Sequence, residues 1–361
     1  MNYLKLLITI ILLIWNGITV DVYIPNDYEL SDIEKISMQY VNNNDIKIYI
    51  NEEYYVFDVI GGLKIKMPYN GNLSVIGNPS NKTLIDFTNK KKYNTVVDFS
   101  TYTGQTLTFE NIIFYNFIDP AVSEASHLFY SNVKNLNFNI VFKNCVFDTG
   151  NMIILKLDSY RELITSELNH QILFESCKFN EVKYNQLFIF NNSGFNRVNR
   201  IGMKIINSEF TNCNDIIKME FGITEFDNCK FSNLSTSQNQ AIFGEIKYYS
   251  ILNIKNTIFF DINETKSVVP FITINNNFLS FYNVTMENVH NKLGYLIRNT
   301  YKIKNKEYIN IESSTFDSQN SKINITNSVF KNLINPNTFS NVVDIKNGEV
   351  YMNNCEINNI R

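Results

Sequence analysis

The stretch IVFKNCVFD, at residues 140–148, decides the fold. Up to Lys143 it follows the pattern apolar-x-apolar-x, with Ile140 and Phe142 at the apolar positions, which indicates a strand with one buried face. Asn144 follows, and asparagine accepts the left-handed backbone of a tight turn more readily than any residue except glycine. A second short strand begins at Cys145 and turns again at Asp148. The stretch therefore predicts two strands joined by a sharp corner.

The same unit returns along most of the chain, for example as LTFENIIFYNF at 107–117 and ILFESCKFN at 172–180. The corner residue recurs with a spacing of about 28 residues, the spacing of a solenoid repeat. Stacked coils would place these residues in a column in which side chains bond from coil to coil, with phenylalanines stacked inside. The expected column consists of Asn111, Asn144, Ser176, Asn207, Asn228, Asn256, Asn283, Asn327 and Asn354.

The pattern predicts an all-β protein, a single-stranded right-handed parallel β-helix of about eleven or twelve coils. An antiparallel sandwich is the rival, but it would show frequent hairpin turns, and after residue 20 only Asn70-Gly71 and Asn347-Gly348 resemble them. Five insertions interrupt the period and are predicted to project as loops that line one face. They are residues 118–138, 149–171, 185–202, 235–250 and 290–308.

The chain divides into three predicted segments. Residues 1–20 contain Lys5 and a run of about ten apolar residues, which is typical of a secretory signal peptide, with an uncleaved anchor as the alternative. Residues 21–45 are expected to cap the first coil with a short amphipathic helix, and Ser31 with Glu34 resembles a capping box. Residues 46–361 form the β-helix, with no evident C-terminal cap.

A secreted, extracellular location agrees with the Asn-x-Ser/Thr sequons and the few cysteines. The candidate glycosylation sites are Asn72, Asn81, Asn191, Asn233 and Asn263, and modification is least expected at Asn283 and Asn324. Cys145, Cys177, Cys229 and Cys355 share one repeat position and are expected to form a buried column of small side chains rather than disulfides. Cys213 is out of phase and is a candidate free thiol.

The chain resembles the right-handed parallel β-helix superfamily of pectin-lyase type. More narrowly it resembles the Asn/Ile-rich secreted β-helix proteins of anaerobic gut fungi, often labelled scaffoldin. The signal segment, the capping helix, residues 73–87 and the Asn-Cys-x-Phe-x-Asn unit carry this resemblance. It implies the fold, but no activity, because one fold hosts unrelated functions.

Signatures of catalysis are missing. The Asn-Thr-Asp, Asp-Asp, Gly-His-Gly and Arg-Ile-Lys motifs of polygalacturonase-like hydrolases do not occur, and no dense acidic cluster suggests calcium. The best catalytic candidate is a group of charged residues in one predicted loop. The simpler interpretation is that this loop is only solvated and has no catalytic role. The group comprises Asp158, Arg161, Glu162, Glu167 and His170.

Other site candidates are weaker. The three histidines, His127, His170 and His290, are too far apart in sequence for a zinc motif. A basic and aromatic loop could contact a glycan, although most such loops are only solvated. It contains Phe195, Arg197, Arg200 and Lys204. No catalytic residue, metal or cofactor is assigned.

Composition restricts the partners. The net charge of −3 argues against a nucleic-acid binder, and no second apolar run predicts a membrane span after signal removal. The leading hypothesis is a secreted non-catalytic scaffold, surface or adhesive module that contacts polysaccharide or other extracellular proteins. The expected contacts include tyrosine-rich loops with Tyr160, Tyr184, Tyr248, Tyr249 and Tyr301. The alternatives are a polysaccharide lyase or glycoside hydrolase with a degenerate site, and a truncated product without function.

Overall fold

The structure is a computed structural model of the chain. It describes residues 19–40, 45–57, 63–69, 71–87, 95–99, 104–119, 126–133, 137–159, 170–183, 186–192, 200–236, 241–247, 250–264, 271–275, 277–291, 297–299, 301–303, 306–310, 321–333, 343–344 and 348–358. The apolar run of the predicted signal peptide lies outside the described residues.

The predicted parallel β-helix is confirmed. Three sheets, made only of parallel strands, run the length of the described chain, and the chain passes through the first, second and third sheet in turn. Within the described residues, ten successive coils contribute one strand to every sheet. Thr19–Ile24 adds a strand before them, and Gly348–Asn353 and Glu356–Asn358 add two strands after them. A separate antiparallel hairpin joins Tyr301–Ile303 to Lys306–Asn310.

The first sheet has twelve strands, in the order Thr19–Ile24, Asp45–Ile50, Asn72–Ile76, Gln105–Glu110, Phe138–Lys143, Ile172–Glu175, Ile201–Ile206, Gly222–Asp227, Ile251–Lys255, Phe278–Tyr282, Ser321–Thr326 and Gly348–Asn353. The second sheet has eleven, in the order Tyr54–Val56, Thr83–Asp86, Ile112–Phe117, Val146–Gly150, Lys178–Val182, Glu209–Thr211, Lys230–Ser232, Ile258–Glu264, Thr285–Asn291, Val329–Lys331 and Glu356–Asn358. The third sheet has ten, in the order Lys64–Lys66, Thr95–Asp98, His127–Asn132, Ile153–Ser159, Phe188–Asn192, Ile217–Glu220, Gly244–Lys247, Ile272–Asn275, Ile297–Asn299 and Val343–Asp344.

The third sheet corrects the prediction for the five insertions. Each of them contains a strand of this sheet, so they are not simply projecting loops. Leu155 and Leu157 are buried while Lys156 between them is half-buried, which is the alternation of a strand with one face in the core. The interval between corner residues varies because the segments that join this sheet to its neighbours differ in length. Because of that variation, the sequence pattern did not predict the third strand of each coil.

Phenylalanine stacks fill the core between the sheets. In the second sheet Phe147, Phe179 and Phe210 are buried, and neighbouring ring centroids lie 5.0 Å and 4.2 Å apart with interplanar angles of 4° and 6°. Each strand is in register with the next, so like side chains meet coil after coil. The first sheet repeats this with Phe142 and Phe174, stacked at 4.7 Å. Offset-stacked aromatic pairs of this kind add to the free energy gained by burial.

The corner residues between the first and second sheets form a column. All nine have a positive φ, between 49° and 58°. The backbone N–H of each of the first eight donates to a carbonyl of the coil that follows, as in the 2.9 Å bond from Asn144 N to Glu175 O. The second sheet ends in another such series, which begins at Asn116 (φ 58°) and ends at Asn332 (φ 51°). Asn or Asp, which tolerate left-handed geometry, occupy most positions of these two series, and Thr149, Ser176 and Glu181 are the exceptions.

The N-terminal cap contains the expected helix, Ile33–Gln39, preceded by a 3-10 turn at Leu30–Asp32. Leu30, Ile33 and Ile36 are buried against the core. The predicted capping box at Ser31 and Glu34 is wrong, because the 3-10 turn moves the start of the helical segment back to Glu29, whose N–H donates to Asp32 Oδ2 at 3.2 Å. None of the described helices has the length and hydropathy needed to cross a membrane.

Candidate functional site

The outer face of the third sheet carries a group of interacting polar and aromatic side chains. Outward residues of consecutive strands stand in register in two rows. One row runs through Tyr130, Lys156, Ile189, Lys218 and Glu245. The other runs through Asn132, Asp158, Asn191, Glu220 and Lys247. We call these two rows the third-sheet strip.

Side chains of the strip contact one another across three coils. The ring of Tyr130 lies 4.9 Å from that of His127, and Lys156 Nζ is 5.9 Å from the Tyr130 centroid. Lys156 Nζ also lies 3.7 Å from Asp158 Oδ2, and Asn191 Nδ2 donates to Asp158 Oδ1 at 3.0 Å. These contacts hold an aromatic ring, a cation and a carboxylate on one surface.

Asp158 is the member of the predicted catalytic grouping that the strip contains. Its side chain is only 4% exposed, although it is on the outer face. Arg161, Glu162 and Glu167, predicted beside it, lie outside the described residues. His170 lies beside the first sheet, immediately before Gln171 and the strand Ile172–Glu175, so this grouping is not a site on the strip.

His170 belongs instead to a charged cluster on the outside of the first sheet. Glu225 pairs with Lys204 at 3.0 Å and with Lys255 at 2.6 Å. Burial raises the pKa of Glu225, but the hydrogen bonds and charges of Lys255 and Lys204 outweigh it, so the pKa is lowered. Burial lowers the pKa of His170, opposed by Glu225. Lys204, predicted in a glycan-contacting loop, thus has a partner within the sheet.

Arg200, from the same predicted loop, directly precedes the strand Ile201–Ile206, and burial lowers its pKa to about 10. Phe195 and Arg197, and the loop tyrosines Tyr160, Tyr184, Tyr248 and Tyr249, are outside the described residues. Tyr301 begins a strand of the antiparallel hairpin. Of the predicted basic and aromatic loop, the structure therefore describes only Arg200 and Lys204.

Two carboxylates on the strip have a spacing that bears on catalysis. Asp158 and Glu220 stand in one row, separated by Asn191. Two coil steps correspond to a backbone separation of about 10 Å. Pairs of carboxylates that cleave glycosidic bonds by inversion are about 6.5–9.5 Å apart, so side-chain rotation could bring these two into that range.

A buried group of polar side chains, just before the third-sheet strand His127–Asn132, was not predicted from the sequence. Ser126 Oγ donates to Asp119 Oδ2, and Asn151 Nδ2 donates to the Asp119 carbonyl at 3.0 Å. Asp119 and Ser126 are buried, and the next residue, His127, is the first residue of the strand His127–Asn132. The bond from Asn151 joins two consecutive coils, and the bond from Ser126 lies within one coil, between its strands of the second and third sheets, so both have a structural role.

The strip itself was also missed, because its strands lie in segments predicted as loops. The available signal was the alternation at residues 155–158, where Leu155 and Leu157 flank Lys156 and Asp158 follows. Among the described residues no group of three or more His, Cys, Asp or Glu side chains could hold a metal ion. His127 is buried, and His170 and His290 are half-buried.

The sequons differ in how their asparagine side chains are used. Asn72 Nδ2 donates to Asp45 Oδ1 at 3.0 Å, and Asn191 bonds to Asp158 as described above. Asn81, Asn233 and Asn263 are exposed, although Asn81 Nδ2 donates to Glu53 at 2.6 Å. Two further sequons are part of strands and corners: Asn283 joins the corner column, and Asn324 lies in Ser321–Thr326.

All five cysteines are free thiols. The residue after each corner residue points inward, and Cys145, Cys177 and Cys229 are buried there, while Cys355 is half-buried. Other coils place small or apolar residues at the same position, namely Ile112, Ser208, Thr257, Val284 and Ser328. Cys213 follows Asn212 at the second bend of its coil and is also buried. Burial raises the pKa of Cys213 and of Cys229 to about 12.

A scan against protein-family models, a search of curated proteins and a search of solved structures each found no match to the chain.

Proposed function

We propose that this chain is a secreted, non-catalytic β-helix protein that contacts polysaccharide through the third-sheet strip, as a scaffold, surface or adhesive module. The observation that carries the proposal is the set of linked side chains on that strip, Tyr130, Lys156, Asp158 and Asn191. A tyrosine ring can stack on the apolar face of a sugar while its hydroxyl remains hydrated. Lysine, carboxylate and amide groups supply donors and acceptors for sugar hydroxyls.

The geometry of the coils supports an extended ligand. Consecutive strands repeat at ~4.8 Å, so the strip places polar side chains at regular intervals along the axis of the helix. A polysaccharide also presents similar groups at regular intervals. Several weak contacts can then add up along one chain of sugars. We also propose that the chain is related to the scaffoldin-labelled and pectin-lyase-like β-helix proteins. The same proposal includes a signal peptide, N-glycosylation and an extracellular location.

Binding is tested with the purified full-length chain against a panel of plant and fungal cell-wall polysaccharides, with and without calcium. We expect at least one polysaccharide to retain the protein in a pull-down or in affinity electrophoresis, without release of sugar products. Tyr130→Ala should weaken that retention at least tenfold, about 1.4 kcal/mol. The matched control is Tyr115→Ala, because Tyr115 lies on the outside of the second sheet in the same coil. Equal loss in both variants would contradict the assignment to the strip.

A second candidate function is polysaccharide cleavage by hydrolysis, which the Asp158 and Glu220 pair favours. One carboxyl would protonate the leaving oxygen and the other would activate water. Release of reducing ends by the wild-type chain, abolished by Glu220→Gln, would establish this alternative and refute the non-catalytic one. Glu245→Gln is the control, since Glu245 is on the same face, one coil further on, and pairs with Lys247 at 2.6 Å.

A further inference from the structure

Cys145 and Cys177 occupy the same inward position on consecutive coils. The N–H of Lys178 donates to the Cys145 carbonyl at 2.9 Å, and Val146 is in register with Lys178. The two cysteines are therefore direct neighbours along the axis of the helix. Both are fully buried. Burial raises the pKa of Cys145 well above its ordinary value, and the neighbouring Cys177 thiol raises it further.

None of the other three cysteines has a cysteine on an adjacent coil at its own position. Cys229 follows Ser208 and precedes Thr257 in the column, as the bonds from Lys230 N to Ser208 O and from Cys229 N to Thr257 Oγ1 indicate. Cys355 lies above Ser328, since Glu356 N donates to the Ser328 carbonyl. Cys213 lies at the second bend, where Asn214 N donates to the Val182 carbonyl. Of the ten possible pairs of five cysteines, the register favours one.

We propose that Cys145 and Cys177 form a disulfide that joins two coils when the chain folds in an oxidising compartment. In-register residues of neighbouring parallel strands have Cα atoms ~4.8 Å apart, within the ~4.4–6.8 Å found for disulfides. In the reduced form the thiols instead donate to carbonyls, Cys145 Sγ to Lys143 O at 3.3 Å and Cys177 Sγ to Phe142 O at 3.5 Å. These weak bonds are the ones that oxidation removes.

The two side chains point the same way, so their Cβ atoms are about as far apart as their Cα atoms. That separation slightly exceeds the usual ~3.5–4.5 Å between the Cβ atoms of a disulfide. The two residues must tilt toward each other to form the bond, and a strained disulfide is easier to reduce than a relaxed one. The expected link is therefore formed by oxidised glutathione and reversed by a modest excess of reduced glutathione.

Oxidation proceeds by two exchanges with glutathione disulfide. The thiolate of one cysteine attacks the glutathione disulfide, whose S–S bond breaks, and one reduced glutathione leaves. The thiolate of the other cysteine then attacks the protein sulfur of the mixed disulfide and releases the second glutathione. Two S–H bonds of the protein are lost, and their protons and electrons end on two glutathione thiols. Because both thiols are buried in the folded chain, the exchange must occur while the coils assemble or open.

The test is to refold the full-length chain in a mixture of oxidised and reduced glutathione and, separately, to incubate the native chain with oxidised glutathione. For the refolded chain we expect an intact mass lower by two hydrogens, three titratable thiols after denaturation instead of five, and a linked peptide that contains Cys145 and Cys177. The native chain, in which both thiols are buried, should lose the same two thiols more slowly. Five thiols in the refolded chain, or a different linked pair in either sample, would overturn the proposal.

Serine variants make the assignment independent of the peptide map. Serine already occupies this position at Ser208 and Ser328, so it should be tolerated. Cys145→Ser or Cys177→Ser should leave four titratable thiols, because the remaining partner cannot pair. The matched control Cys229→Ser, at the same column position, should leave two. Four thiols in Cys229→Ser as well would refute the pair.

Discussion

Asn144 donates its side-chain amide to the side-chain oxygen of Asn111, 2.7 Å away on the preceding coil, and both residues have positive φ. The same relationship joins Asn228 to Asn207 and Asn354 to Asn327, at 2.8 Å and 2.9 Å. One residue type thus meets two requirements, a left-handed backbone and a donor–acceptor side chain that bonds along the axis. The corner column is therefore expected to control the stability of the solenoid.

Replacing Asn144 separates these two requirements. Asn144→Gly keeps the left-handed backbone accessible but loses the side-chain bond, so we expect a loss of about 1 kcal/mol in the free energy of unfolding. Asn144→Ala loses the bond and also strains the backbone, so we expect about 2–3 kcal/mol. Urea unfolding followed by circular dichroism measures both variants. An alanine variant as stable as the glycine variant would show that backbone geometry does not matter here.

The phenylalanine stack predicts a large cost for truncation. Phe179→Ala removes a buried ring that stacks on Phe147 and Phe210, so we expect about 3–5 kcal/mol of destabilisation. The control is Phe260→Ala, a half-buried residue on the outside of the second sheet, for which we expect less than about 1 kcal/mol. Thermal and urea unfolding of the two variants give the comparison. Similar losses would mean that the inner stack is not tightly packed.

The Glu225 cluster predicts a dependence of stability on pH. The pKa of Glu225 is lowered below the ordinary value of 4.5 in the folded state, so the native chain binds fewer protons there than the unfolded chain. The contribution of Glu225 is complete above pH 4.5 and is lost as the pH falls through the lowered value. Because solvent reaches the cluster, we expect Glu225→Gln to cost ~1 kcal/mol at neutral pH.

The control for this prediction is Glu209→Gln. Glu209 pairs with Lys178 and Lys230 at 3.5 Å, but its side chain is 43% exposed. We therefore expect little change in stability at any pH. Unfolding measured at neutral pH and again below pH 4 should show the difference between wild type and Glu225→Gln shrinking in acid. A difference that stays constant with pH would contradict the lowered pKa.

Thiol labelling should distinguish Cys355 from the other cysteines. Cys355 is half-buried, whereas the other four are buried, and burial raises the pKa of Cys213 and of Cys229 to about 12. Because only thiolates react, we expect iodoacetamide at mildly alkaline pH to modify Cys355 first in the native chain. Peptide mass spectrometry after a timed quench gives the order of labelling. Early labelling of Cys213 would contradict the tight packing of the second bend.

Glycosylation should follow the hydrogen bonds of the sequon side chains. If the chain is made in a eukaryotic secretory pathway, we expect glycans at Asn233 and Asn263, which are exposed. Asn72 and Asn191 bond to Asp45 and Asp158 through the same nitrogen that a glycan would occupy. Glycopeptide mass spectrometry of the secreted protein measures the occupancy of each site. Full occupancy at Asn191 would show that its bond to Asp158 is dispensable.

The sequence by itself determined the corners and the core. A tight corner favours a residue that tolerates positive φ, and an inward strand position favours an apolar residue. The local sequence is therefore enough to place Asn144 at a corner and Phe147 in the core. The sequence did not predict the number of sheets. The segments on either side of the third strand of each coil vary in length, so this strand does not recur at a constant spacing.

Only the tertiary structure decided which outward side chains meet. Lys156 and Asp158 are close in sequence, but Tyr130 and Asn191 reach them only through the vertical register of three coils. The same holds for Cys145 and Cys177, which are neighbours because one complete coil separates them. An outward position is not constrained to one residue type as a corner or a core position is. Which residues lie next to it on adjacent coils depends on the number of residues in each coil.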